Sequence, residues 1–166
     1  MVAEALRPLE FLIGTWRGEG VGAIPGGGGP DYPYVEELRI YEDGSPWLAY
    51  SSRVTAAADG RWLHSEAGWW RPQPADESDT IGVELVLTRA TGVTEILIGH
   101  LTTGPVGDQI ELASDVVART PTAPAFTADK RLYAVRGGKL MYAIDLAAGD
   151  SGLAPHLAAA LDRAED

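Results

Sequence analysis

The chain has 166 residues, no cysteine and a formal net charge of −11. That length suits one domain over residues 1–166 with a real core, and the missing thiols exclude disulfides, thiolate metal sites and a cysteine nucleophile. The acidic balance argues against nucleic acid and anionic membrane surfaces, which need a basic footprint, and obliges an anionic ligand to find local cations.

The N-terminus lacks the basic-then-apolar order of a signal peptide, and no stretch is long and apolar enough to span a bilayer. With no cysteine, these features lead us to expect a cytoplasmic protein. Residues 6–13 gather Leu6, Leu9, Phe11 and Leu12 around Pro8 and predict a short helical turn, placed to close a barrel mouth. A first strand follows to about Ile24. Trp16, Gly18 and Gly20 share one face of it, a pattern that marks a tight bend or a close approach, or simply a glycine-rich strand. The loop Pro25–Pro30 has no Lys-Ser/Thr and opens no helix, so it does not cradle phosphate.

Further strands are expected at Tyr34–Tyr41, Trp47–Thr55, Arg61–Arg71, Thr80–Thr88, Val93–Thr102, Gln109–Ala118, Ala125–Val135 and Lys139–Ala147. Their even spacing, with Gly at most turns, reads as an all-β, up-and-down antiparallel barrel of nine strands, or ten if a bulge breaks one run. Arg71–Thr80 reads as a solvated loop. Several strands are apolar on both faces, and a barrel of this size leaves room for a ligand cavity. For the C-terminal segment we expect a helix: Asp150 or Ser151 caps it, Pro155 suits its first turn, and Leu153, Leu157, Ala160 and Leu161 form its stripe.

The three histidines, His64, His100 and His156, stand far apart and give no zinc spacing; no nucleophile elbow or dinucleotide fingerprint is present. His64 shares a strand face with Trp62, Glu66, Gly68 and Trp70, which suits either a polar group reaching into a cavity or a histidine bonded to Glu66 or left at the surface. Lys130-Arg131 could clamp an anion or be a plain solvated pair.

Taken together, several blocks form a larger pattern. Gly14-Thr15-Trp16-Arg17-Gly18-Glu19-Gly20 is followed in order by Tyr34-Val35-Glu36-Glu37, Leu63-His64-Ser65-Glu66-Ala67-Gly68-Trp69, Val83–Leu87, Thr91–Ile96, Pro121-Thr122-Ala123 and His156–Leu161. In this order and spacing the chain resembles the nitrobindin family of haem-binding β-barrels over nearly its whole length. The resemblance implies a ten-stranded antiparallel barrel like that of the fatty-acid-binding proteins, with one haem b near a mouth. It implies His156 as the axial iron ligand and catalytic centre, and His64 and Leu63 on the distal side. The implied chemistry is peroxynitrite isomerisation to nitrate at ferric haem and nitric oxide binding at ferrous haem. Arg131 or Lys130 is our candidate for the haem propionates.

Two positions depart from the family pattern. Ile24-Pro25-Gly26 stands where relatives carry Tyr-Pro-Thr, and Pro124 replaces a common Lys. The competing reading is a non-enzymatic barrel carrying a fatty acid or another apolar molecule. The expected partners are small molecules, with no nucleic acid and no membrane; the sequence leaves a homodimer open.

Overall fold

The computed structural model describes residues 2–24, 28–74 and 80–165. Pro25, Gly26 and Gly27 of the glycine-rich loop, and residues 75–79 of the loop expected at Arg71–Thr80, lie outside the described residues. A 3-10 helix, Glu4–Leu12, leads into ten strands: β1 (Gly14–Gly22), β2 (Tyr32–Glu42), β3 (Leu48–Ala56), β4 (Trp62–Pro72), β5 (Thr80–Arg89), β6 (Val93–Thr102), β7 (Gln109–Arg119), β8 (Phe126–Arg136), β9 (Lys139–Ala148) and β10 (Ala154–Arg163). Each strand pairs antiparallel with its neighbour in sequence, and β10 returns to β1 to close the barrel.

That closure corrects the expected C-terminal helix. Leu157, Ala159 and Leu161 alternate with the exposed Ala158, Ala160 and Asp162, which is a strand pattern. Leu157 and Leu161 are four residues apart, so they satisfy both periods. Ala158 and Ala159 bond β1 on one side and β9 on the other. Without β10, both neighbours would present open edges, and that requirement overrides the helix propensity of the alanines.

The glycines of β1 mark close approaches. A Cβ on Gly20 would lie 2.3 Å from the Tyr34 ring, one on Gly22 2.3 Å from the Tyr32 ring, and one on Gly18 3.3 Å from Leu161. Gly20 and Gly22 therefore leave the space that lets two tyrosines of β2 turn into the barrel.

The 3-10 helix plugs one end. Leu6, Leu9 and Leu12 are buried there, and Trp16 Nε1 donates to the Leu12 carbonyl at 2.9 Å. Inward side chains along β4 run His64, Glu66, Gly68 and Trp70, so the interior passes from polar groups to an apolar core as it approaches the plug.

Candidate functional site

At the end opposite the plug, the barrel encloses a cavity of about 300 Å³. Val93, Phe126, Ile144, Leu146, Ala148 and Leu157 supply its apolar walls. Two of the expected site residues, His64 and His156, meet in this cavity although 92 positions separate them (156 less 64). His100 is exposed on β6 and does not line it.

His156 owes its position to a β-bulge. Pro155 pairs with Asp145 and Leu157 with Ile144, so His156 is an extra residue on β10. A bulge re-aims side chains, and here it lets the consecutive His156 and Leu157 both line the cavity. Ala23, just past β1, then holds the residue at two points. Its N–H donates to the His156 carbonyl at 2.7 Å, and its own carbonyl lies 2.9 Å from His156 Nδ1. A carbonyl only accepts, so Nδ1 carries the proton and Nε2 keeps a lone pair. Burial pushes the His156 pKa down, which favours the neutral ring. Neutral, oriented imidazole with one nitrogen tied back is the form that ligates iron.

His64 sits beside a second bulge. Val54 pairs with His64 and Thr55 with Trp62, leaving Leu63 as the extra residue. Leu63 packs against the core and is not part of the cavity wall. Burial lowers the His64 pKa to about 4, and its Nε2 is buried with no hydrogen-bond partner among the described residues. Glu66 does not bond His64, as the alternative sequence reading allowed; both its oxygens are taken by Arg131, with Tyr50 and Arg89 as further donors.

Arg131 is a cavity residue of a different kind from the one expected. It is 1% exposed, and its guanidinium donates to both Glu66 oxygens at 2.6 and 2.9 Å, to Asp129 Oδ2 at 2.9 Å and to Tyr133 at 3.1 Å. The ion pairs hold Glu66 well below the usual carboxylate range. Arg131 is thus committed to the cavity floor and is not a free cation for a propionate. Lys130, its neighbour, is exposed on the other face of β8 and does not reach the cavity.

Sequence reasoning missed Arg89, Asp129, Glu95 and Ala23. Arg89 also lines the cavity and bridges Glu66, Glu95 and Asp129. Asp129 and Arg131 share a strand face by their spacing, a signal that the Lys130-Arg131 doublet obscured. Nothing local marks Ala23, which contributes only backbone.

The donor set fits a haem. Among the described residues, one imidazole nitrogen is free and oriented, a second buried histidine nitrogen in the same cavity has no partner, and the walls are apolar. Comparison with known proteins agrees. Residues 5–163 match the family described as THAP4-like, heme-binding beta-barrel domain.

The chain belongs to this family.

It is 42% identical to a peroxynitrite isomerase of Salinispora arenicola (strain CNS-205), across 96% of this chain and 80% of that protein. It is 37% identical to a ferric nitrobindin-like protein of Kineococcus radiotolerans, across 95% of this chain and 92% of that one. The crystal structure of Rv2717c from M. tuberculosis superposes with a TM-score of 0.88 at 36% identity, covering 99% of this chain and 100% of that one. The nitrobindin resemblance and the ten-stranded barrel are therefore established, while one sequence departure acquires a location: Pro124 lines the cavity.

Proposed function

We propose that this chain binds one haem b through His156 Nε2 and isomerises peroxynitrite to nitrate. The observation that carries the reading is the Ala23–His156 pair, which fixes the tautomer a haem ligand needs inside an apolar cavity. Relatives named peroxynitrite isomerase, 41–42% identical over most of this chain, support the reaction.

When bound, the haem supplies a Lewis-acidic ferric iron for peroxynitrite and, when ferrous, a site for nitric oxide. The chain supplies the rest. Ala23 orients His156 and keeps the Nδ1 proton in place. Val93, Phe126, Ile144 and Leu157 restrict water, which would otherwise compete for reactive fragments. His64, neutral at physiological pH, offers Nε2 to the contents of the cavity without adding a charge. The Glu66–Arg131 pair makes a rigid floor.

The test is titration of the purified protein with haem, followed by rapid mixing of the ferric form with peroxynitrite. Saturation at one haem per chain, with faster peroxynitrite decay and nitrate as the product, is the expected result. A haem complex that leaves the decay rate unchanged would remove the enzymatic assignment. No saturable haem binding at all would turn the reading toward an apolar-ligand carrier.

A further inference from the structure

Arg89, at the end of β5, is gripped on one side only. Its Nε donates to Glu66 Oε2 at 3.2 Å, and its Nη2 donates to Glu95 Oε1 and, at 2.8 Å, to Asp129 Oδ2. Phe126 packs its ring 4.4 Å from the guanidinium carbon. These contacts fix the plane of the guanidinium. They leave Nη1 buried, with no hydrogen-bond partner among the described residues, on a side chain that lines the cavity.

A buried cationic N–H with no acceptor is uncommon, because the group has lost its water and gained nothing in return. His64 Nε2, on a neutral ring in the same cavity, is likewise buried with no hydrogen-bond partner among the described residues. The third unpartnered buried side-chain atom among those described, Trp70 Nε1, belongs to the apolar core rather than to the cavity wall. Two of three such atoms thus fall on one cavity, which points to a ligand that completes their hydrogen bonds.

We propose that Arg89 Nη1, with His64 Nε2 as a second polar contact, forms an oxyanion subsite in the cavity for small oxyanions of nitrogen. The choice of anion rests on the function proposed above. The chemistry of the donors is independent of it. Arginine suits the task because its planar fork can spend Nε and Nη2 on carboxylates and still present Nη1. The surrounding carboxylates Glu66, Glu95 and Asp129 leave no excess of positive charge. Recognition therefore comes from directed, preorganised N–H groups in a buried site, with His64 contributing in the tautomer that carries its proton on Nε2, rather than from a cationic field. That restricts the guest to something small enough to meet Nη1 directly. A haem propionate carries the same carboxylate-like chemistry, so the experiment must separate the two sources.

The probe is sodium nitrate, added to the haem-free protein labelled with nitrogen-15, with the Arg89 side-chain resonances followed by NMR. Saturable shifts of the Arg89 Nη signals are expected, with nitrate affinity at least about tenfold weaker in Arg89→Lys and severalfold weaker in His64→Leu. Lysine keeps a charge for the carboxylates but loses the fork. In parallel, wild type and Arg89→Lys are titrated with haem and with haem dimethyl ester. The ratio of haem to dimethyl-ester affinity should be the same in the two proteins.

Unmoved Arg89 signals in wild type, or equal nitrate affinity in Arg89→Lys, would overturn the subsite. Selective loss of haem but not of its dimethyl ester in Arg89→Lys would assign Arg89 to a propionate and also overturn it. Should Arg89→Lys not fold, the wild-type NMR titration still decides. Failure of wild type to bind haem would be a failure of the proposed function instead, and the nitrate titration does not depend on it.

Discussion

Ala23 and His156 hold each other by two hydrogen bonds, from the Ala23 N–H to the His156 carbonyl and from the His156 ring to the Ala23 carbonyl. The second bond sets the tautomer. In the haem-free protein at neutral pH, His156 should therefore be neutral with the proton on Nδ1. Long-range proton–nitrogen NMR correlations read this directly. A proton on Nε2 would contradict it.

The buried ion pair between Glu66 and Arg131 should be worth more broken than replaced. Arg131→Met leaves Glu66 and Asp129 with Arg89 as their remaining guanidinium partner, in a site almost closed to solvent. It should destabilise the fold by about 3–5 kcal/mol in urea denaturation. Adding Glu66→Leu to the same chain should recover part of that loss, since the uncompensated carboxylate goes. A double variant no better than the single one would mean that the pair contributes favourably as a unit.

Glu36 gives a pH signature. Burial lifts its carboxyl from 4.5 to about 7, against hydrogen bonds from Ser52 and Tyr142 that favour the charged form. The native carboxyl thus keeps its proton where the unfolded chain has lost it. Unfolding releases a proton between about pH 4.5 and 7, so this group's contribution declines as pH rises through that window. His64 works in the opposite direction, its folded value of about 4 costing stability on acidification below 6.5. Comparing wild type with Glu36→Gln cancels the histidine effect. The variant should gain on wild type between pH 5 and 8 by up to about 3 kcal/mol. Parallel stability curves would show that Glu36 titrates normally.

Gly68 and Gly99 should resist even a methyl group. A Cβ at Gly68 would lie 1.8 Å from the Val86 carbonyl oxygen, and one at Gly99 1.7 Å from that of Glu111. Each obstacle is backbone of a neighbouring strand and cannot swing aside. Gly68→Ala or Gly99→Ala should lower stability by roughly 3 kcal/mol, read from the urea midpoint. Gly44, at a turn with open space around it, makes a control for the steric clash, although its φ of +90° adds a strain of its own.

Most of the barrel was legible in the sequence because period-2 strands and Gly turns are local signals. The ends of Trp62–Pro72 and Val93–Thr102 lie within a residue of those expected. The last strand was not legible. Ala158, Ala159 and Ala160 favour a helix locally, and only the open edges of β9 and of β1, the latter at the other end of the chain, decide the matter. The site shows the same division. His156 and His64 stood out through the family resemblance, and the structure brings both to one cavity. Arg131 was expected at the ligand, yet it is consumed by Glu66, 65 positions away in the chain. Ala23 acts through a carbonyl and leaves no mark in side-chain chemistry. Arg89 stood at the end of an ordinary strand, and only its incomplete set of partners distinguishes it.

The central claim is that His156 Nε2 holds the haem. Its most direct test is a Soret titration of wild type beside His156→Ala, with far-ultraviolet circular dichroism confirming that the strands persist. The account predicts saturation at one haem per chain in wild type and no stoichiometric binding in the folded variant. Unchanged haem affinity in His156→Ala would contradict it.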